Sequence, residues 1–505
     1  MTHSNKIARN TAFTLVNKLL TIFVAFFSRK LFLVFLTEEL LGLNSLFADL
    51  LGLLNLADMG LGIAVQFELY KPIADKDYEK IGRILNATKR IYNVVGISII
   101  AAGAVLSLFI QHLIMDNPYP LSFLRLVFFI NVVSNASTYF FVHKRLYLQA
   151  SEDLHVVNTV DSLVNVSGSI LRIIAIALFR NYYVFVILSA LQAVVSNFLV
   201  GYYCDKRHPQ IKGICGYKKQ EMKTLLGNLK ELLPNKLSAY VFSNTDNTIL
   251  STFLGLSSVT LFTNYNSIVL QLFTFAAMLS GVLRASFGNV FQENHDKRNQ
   301  LFLVSSYQLL QFFFSSFCAV SLVCLLDDFV GLLYGERFIV SFAFVVILTV
   351  DFFLHSMYLP LSAILEVLGE FKALKRQEIF SMIANIVVSV GLVFPFGIIG
   401  PIFGTLVVDI CTTAFRLFTV VYKNYHFLFR QYLTRYFTYI LVFFAEYVGT
   451  YLLLKALPFE RSVPVFLLKG VICFAVTTVV NVALFRKTEE FAYVFSKIQS
   501  MVKRK

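Results

Sequence analysis

The sequence predicts an all-α polytopic membrane protein of about fourteen helices: two six-helix blocks in parallel repeat, then two extra helices. Three observations predict it. First, of the 505 residues 57% are hydrophobic and only 15% charged, with 53 Phe and a mean hydropathy of +0.70, whereas soluble chains are roughly 25% charged. Second, apolar runs of about 20 residues, enough to cross a ~30 Å hydrocarbon core, recur along the whole length. Third, the tripeptide Asn17-Lys18-Leu19 returns 218 residues later as Asn235-Lys236-Leu237, each copy early in an apolar block. At the same offset Asn10 matches Asn228, Leu15 matches Leu233, and Phe35-Leu36 matches Phe253-Leu254. Matching flanks make this an internal repeat.

The spans fall at about 12–36, 41–70, 91–114, 121–142, 154–178, 182–204, 231–254, 259–283, 301–326, 338–361, 378–395, 401–421, 432–454 and 464–485. Segment 41–70 is long enough to tilt or to leave the membrane early. Trp is absent, and the 24 Tyr are expected at the interfaces instead. No cleavable signal is expected at the N-terminus. The six cysteines are scattered, without convincing metal-ligand spacing, and read as small buried hydrophobes.

The net charge of +14 does not point to nucleic acid, because the basic residues alternate between connections. Connections on the side of the N-terminus hold 32 of the 44 basic residues and those on the other side five, which by the positive-inside rule makes both termini cytoplasmic. A missed helix would invert that alternation downstream. Spans 1 and 7 then enter from the same side, so the repeat is parallel, about an axis along the membrane normal. The chain divides into an N-terminal lobe at 1–204, a basic cytoplasmic linker at 205–230, a C-terminal lobe at 231–421, and helices 13 and 14 with a basic tail at 422–505.

Ionisable groups inside spans are expensive and should face a bundle interior or a watery cavity. Lys18 and Arg29 are eleven residues apart, about 20° past three full turns, so they share a face of span 1 roughly 16 Å apart in depth. Lys236 repeats Lys18 in span 7. These three are read as lining a cavity. Asp161 with Arg172 in span 5, and Asp409 with Arg416 in span 12, also share faces, as cavity groups or as members of structural ion pairs. Asp58 in span 2 and Asp246 in span 7 are further candidates for ion coupling or structural pairing. Lys30, Glu68 and Lys469 are expected to snorkel or pair, and His355 to be a satisfied polar residue. A basic cavity suits an anionic substrate, since Arg offers a fork to phosphate oxygens and Lys a point charge.

Three stretches carry a family resemblance. Span 1 reads Arg9-Asn10, Asn17-Lys18-Leu19 and Ser28-Arg29. Span 2 reads Gly42-Leu43-Asn44-Ser45-Leu46-Phe47, then Asn55-Leu56-Ala57-Asp58-Met59-Gly60-Leu61-Gly62, then Tyr70-Lys71-Pro72. Span 7 opens at Asn235 and runs through Asp246 to Phe253-Leu254-Gly255, before Tyr265 in span 8. The chain resembles the polysaccharide (Wzx-like) flippases, the O-antigen and capsule repeat-unit exporters of the MATE/lipid II flippase (MOP) superfamily. It departs from many relatives before span 2, where Thr37-Glu38-Glu39-Leu40-Leu41-Gly42 replaces a short Leu-Gly turn.

The resemblance implies two six-helix lobes around a central cavity, alternating access, and no enzyme activity or cofactor. A polyprenyl-pyrophosphate oligosaccharide would pass from the inner to the outer leaflet of a bacterial cytoplasmic membrane, its headgroup in the cavity and its tail in membrane lipid. An anion leaving a negative-inside cell gains ~2.3 kcal/mol per charge per 100 mV across the full field. Glycosyltransferases and a polysaccharide polymerase are partners only by family association. Two other readings stand beside it. An H⁺- or Na⁺-coupled multidrug or cation exporter of the same fold would use Asp49, Asp58, Asp161 and Asp246. A membrane polymerase or ligase would need a larger external loop than this chain has.

Overall fold

The computed structural model describes residues 21–55, 61–211, 214, 216–217, 225, 237–238, 240–242, 244–293, 296–457 and 460–503. Among these residues every long element is a helix. The chain forms two compact units, Met1–Thr260 and Leu261–Lys505. The first contains α1 (21–35), α2 (Glu38–Leu54), α3 (Leu61–Ala74), α4 (Tyr78–Phe109), α5 (Leu121–Tyr139), α6 (Val142–Ala150), α7 (Leu154–Phe179), α8 (Tyr182–Arg207) and α9 (Asp246–Leu254). Helix α10 (Leu256–Glu293) begins in the first unit and runs into the second. The second continues with α11 (Lys297–Tyr334), α12 (Phe342–Val367), α13 (Phe371–Phe396), α14 (Ile399–Arg416), α15 (Phe429–Lys455), α16 (Val463–Phe485) and α17 (Glu489–Lys503).

Ten described helices are long and apolar enough to cross a membrane. They coincide with ten of the fourteen segments read from hydropathy, at spans 3–6 and 9–14, so the chain is a multi-pass membrane protein. The other four segments, spans 1, 2, 7 and 8, are helical over most of their described residues, as α1, α2 with α3, α9, and α10.

Helix ends follow local chemistry. The Thr37-Glu38-Glu39 segment starts α2: the Thr37 hydroxyl accepts from Leu40 N at 3.4 Å, and the two glutamates lie at the positive end of the helix dipole. Asp77 Oδ1 caps α4 through Lys80 N at 2.9 Å. The polar turns Tyr78–Arg90 lengthen α4 well before the apolar run begins. Gly255, at φ +85°, sits where α9 stops and α10 starts, a backbone conformation that L side chains rarely adopt.

In the first unit α7 packs on α8, α4 on α5, and α5 on α8, with α6 wedged against α3, α4 and α8. Hydropathy alone extends span 4 to 142, but the helix ends at Tyr139 and the separate α6 follows it. Beyond α8, Ile214 O accepts from Asn86 Nδ2 of α4 at 2.7 Å, and the Arg90 guanidinium lies over the Tyr217 ring at 5.5 Å. In the second unit α11 is the hub, touching α12, α15, α16 and α17, while α13 packs along α14. Gly400 and Gly404, one helical turn apart, let α14 approach α13 closely, as small-xxx-small spacing does in membranes. The outer faces of α7, α13 and α16 expose Leu178, Phe179, Phe394 and Leu467, a surface suited to lipid.

Cys204, Cys318 and Cys473 match their reading as buried and unbridged; Cys324 is half-buried, Cys411 differs in being exposed on α14, and Cys215 lies outside the described residues.

Candidate functional site

The second unit holds a buried polar chain of residues across α12, α13 and α14. Asp409, with no exposed side-chain surface, accepts from His355 Nδ1 at 2.7 Å. A proton on Nδ1 leaves Nε2 as an acceptor, and the Tyr358 hydroxyl donates to it at 2.9 Å. The edge of the His355 ring meets Phe273 of α10, centroids 4.4 Å apart. Arg416, 5% exposed, stacks on the other partner of this group, its guanidinium 4.0 Å from the Tyr358 ring centroid. Its Nε donates to Gln377 Oε1 at 2.9 Å and its Nη1 to Ser362 Oγ at 2.5 Å. Ser381 and Thr412 extend the network at 2.9 Å.

Seven-residue spacing had placed Asp409 and Arg416 on one face, and so they are, but they do not form an ion pair with each other. Each is held by neighbouring helices instead. No carboxylate lies within ion-pair distance of Arg416 among the described residues.

The first unit separates Asp161 from Arg172 in the same way. Asp161 is in an interhelical ion pair, but its partner is Arg145 of α6, at 2.5 and 3.0 Å. Ser196 of α8 donates to the same carboxylate at 2.6 Å. Arg172 is bound by the Ser169 and Ser189 hydroxyls, each at 3.0 Å, and lies 5.5 Å from the Phe185 ring centroid. Sequence reading had counted Arg145 among the loop charges. On α6, it reaches back to α7.

A second polar group joins α2 to α9. Asn247 Nδ2 donates to Asp49 Oδ2 at 2.6 Å, and the Tyr240 hydroxyl donates to Asp49 O at 3.0 Å. The same Asp49 carboxylate acts electrostatically on Asp246, whose Oδ1 has no hydrogen-bond partner among the described residues. Just past the end of α2, Asn55 exchanges hydrogen bonds with Asn135 and accepts from Tyr139 at 2.9 Å. Lys18, Lys236 and Asp58 lie outside the described residues. Arg29 is placed on α1 and half-buried.

Several polar residues escaped the sequence reading. Gln377, Ser362 and Tyr358 carry no pattern that separates them from ordinary span residues. Glu446, buried in mid-α15 at 3% exposure, did carry a signal: it is a carboxylate inside a span. Lys469 pairs, as expected, with Asp328 at 2.6 Å, where Arg461 Nε also donates at 3.1 Å. Among the described residues no cluster of His, Cys, Asp and Glu is placed to hold a metal ion.

No family model matches the sequence, and no curated protein matches it. Solved structures do. The lipid II flippase MurJ, in an inward closed conformation, superposes with a TM-score of 0.73 over 93% of this chain and 98% of its own, at 13% identity. An inward-facing multidrug resistance MATE family transporter of the MOP superfamily gives 0.64 over 79% of this chain and 94% of its own, at 17% identity. A MOP superfamily transporter from Pyrococcus furiosus, whose binding pocket is described as having reverse polarity, gives 0.51 over 81% and 94%, at 15% identity. The chain therefore has the helical transporter fold shared by the lipid II flippase MurJ and the MATE transporters.

Proposed function

We propose that this chain is a flippase, not an enzyme, that moves a polyprenyl-pyrophosphate-linked oligosaccharide from the inner to the outer leaflet of the bacterial cytoplasmic membrane. Two lobes, 1–204 and 231–421, alternate access to a cavity between them, joined by the cytoplasmic linker 205–230. Residues 422–505 add two helices and a tail, and both termini are cytoplasmic. Lys18, Arg29 and Lys236 bind the pyrophosphate headgroup, with Arg172 and Arg416 as further cations. Asp58, Asp161, Asp246 and Asp409 are the candidates for ion coupling. A polymerase and glycosyltransferases act on the same lipid-linked intermediate.

The observation that carries this reading is coverage. The superposition on the flippase takes in 93% of this chain, whereas those on the MATE transporters take in about four fifths. The cations in repeat-initial spans supply the chemistry, because an anionic headgroup leaving water needs fixed positive charge to replace its hydration. A cation exporter is the second reading, favoured by the Asp49–Asn247 contact and the adjacent Asp246.

The test is headgroup translocation in proteoliposomes with a fluorescent undecaprenyl-pyrophosphate oligosaccharide, with and without an inside-negative potential. Wild type should transport, and Lys18→Ala, Arg29→Ala and Lys236→Ala should fail at unchanged protein level. Counter-transport of an organic cation against H⁺ or Na⁺, with no lipid movement, would establish the exporter reading. Flipping indifferent to all three substitutions would sink the site assignment.

A further inference from the structure

A cavity of about 450 Å³ opens in the second unit where α11 and α15 begin and α17 starts. It lies at the ends of two helices that are long and apolar enough to cross a membrane. Its charges are balanced: Arg298 and Arg435 face Glu489 and Glu490 across one volume. Two of the four satisfy each other, since Arg435 Nη1 donates to Glu490, whose side chain is only 6% exposed. The other two do not. The Arg298 and Glu489 side chains are exposed and make no hydrogen bond or ion pair among the described residues.

The cavity is not an accident of a loose terminus. Helix α17 is fixed on α11 by Phe302 against Tyr493 and Phe313 against Phe491, at 5.7 and 6.1 Å between centroids. Phe302 and Leu428 give the same volume an apolar wall.

We infer that this cavity binds the headgroup of a zwitterionic phospholipid bearing a primary amine, of the phosphatidylethanolamine class. One open guanidinium and one open carboxylate are complementary to a phosphate and an ammonium joined by a short linker. The apolar wall takes the glycerol end. An anionic lipid would satisfy Arg298 and leave Glu489 without a cation. A choline headgroup has the charges but no N–H with which to bond the carboxylate. The site is separate from the proposed transport residues, and its test does not depend on transport.

The experiment measures lipid retention by native mass spectrometry on the purified, delipidated full chain, titrated with phosphatidylethanolamine, phosphatidylglycerol or phosphatidylcholine of equal acyl length. Phosphatidylethanolamine should bind about tenfold more tightly than either of the others, the scale of one charge-assisted hydrogen bond. Arg298→Gln and Glu489→Gln should each remove that preference, and because both side chains are exposed and unpartnered, neither disturbs packing. Soluble phosphoethanolamine should displace the lipid only weakly, since it lacks the part that meets Phe302 and Leu428. Equal retention of all three lipids by wild type would overturn the inference, as would a preference that survives both substitutions. Preference for phosphatidylglycerol that ignores Glu489→Gln would mean an anion site, and displacement by phosphoethanolamine as strong as by the lipid would mean a soluble ligand.

Discussion

Removing the Asp409 carboxylate is the sharpest perturbation of the buried network. The side chain has no exposed surface, and its Oδ2 takes a 2.7 Å bond from His355 Nδ1. Asp409→Asn keeps the volume and an acceptor oxygen, so it loses only the charged part of that bond. A charged hydrogen bond contributes about 1.5–3 kcal/mol and a neutral one about 0.5–1.5, so the expected loss is about 1 kcal/mol. Asp409→Ala removes the acceptor altogether and takes the 2.7 Å bond away from His355 Nδ1. Losing a buried hydrogen bond to a charged group in this way costs about 1.5–3 kcal/mol. The assay is reversible SDS-induced unfolding in bicelles, run as a cycle with His355→Ala. A coupling of about 1.5–3 kcal/mol is expected between the two positions, since the second substitution then finds the bond already broken. Additive effects, with coupling below about 0.5 kcal/mol, would refute the pairing. So would an Asn variant as damaged as the Ala variant.

Two further outcomes test packing and protonation. A Cβ at Gly404 would lie 2.9 Å from Ser389 Cα, so Gly404→Ala should destabilise by about 1–3 kcal/mol through overpacking. At Gly391 a Cβ meets nothing within 4 Å, so Gly391→Ala should be neutral or gain up to about 1 kcal/mol of helix propensity in the same unfolding assay. On α6, outside the spans, burial pushes the His143 imidazole down from 6.5 to about 4, helped by Lys144 and Lys89 and opposed by Asp205. Between those values the unfolded chain binds the extra proton, so the contribution is full above pH 6.5 and lost as pH falls towards 4, about 3 kcal/mol in all. Unfolding followed from pH 7 to 4 should show this fall in wild type and a shallower one in His143→Gln; equal slopes would remove His143 as the cause.

How much of this was legible in the sequence varies by element. Spans 3–6 and 9–14 were readable because twenty apolar residues in a row have only one stable destination and one conformation there. The polar start of α4 was not, because Tyr78–Arg90 carries loop-like charge although it continues the helix. Likewise α6 is too short and polar for a hydropathy reading, yet it supplies Arg145, the partner of Asp161. The Lys469–Asp328 contact matched expectation, because a lone cation inside a span needs a carboxylate or water within reach.

By itself the sequence determined the class of molecule, the ten helices that meet the membrane-crossing criteria, the repeat in the chain, and which residues share a helix face. Those properties depend on composition and on fixed periods of 3.6 residues per turn, which are local. Only the tertiary structure decided who binds whom. Asp161 went to Arg145 rather than Arg172, Asp409 to His355, and Arg416 to Gln377, Ser362 and Tyr358. The physical reason is that spacing along one helix fixes the direction of a side chain but not the helix it faces. The neighbour is set by the packing of other faces, such as the close approach at Gly400 and Gly404. Inside a membrane each ionisable group then takes the nearest dipole or opposite charge that this packing brings within reach.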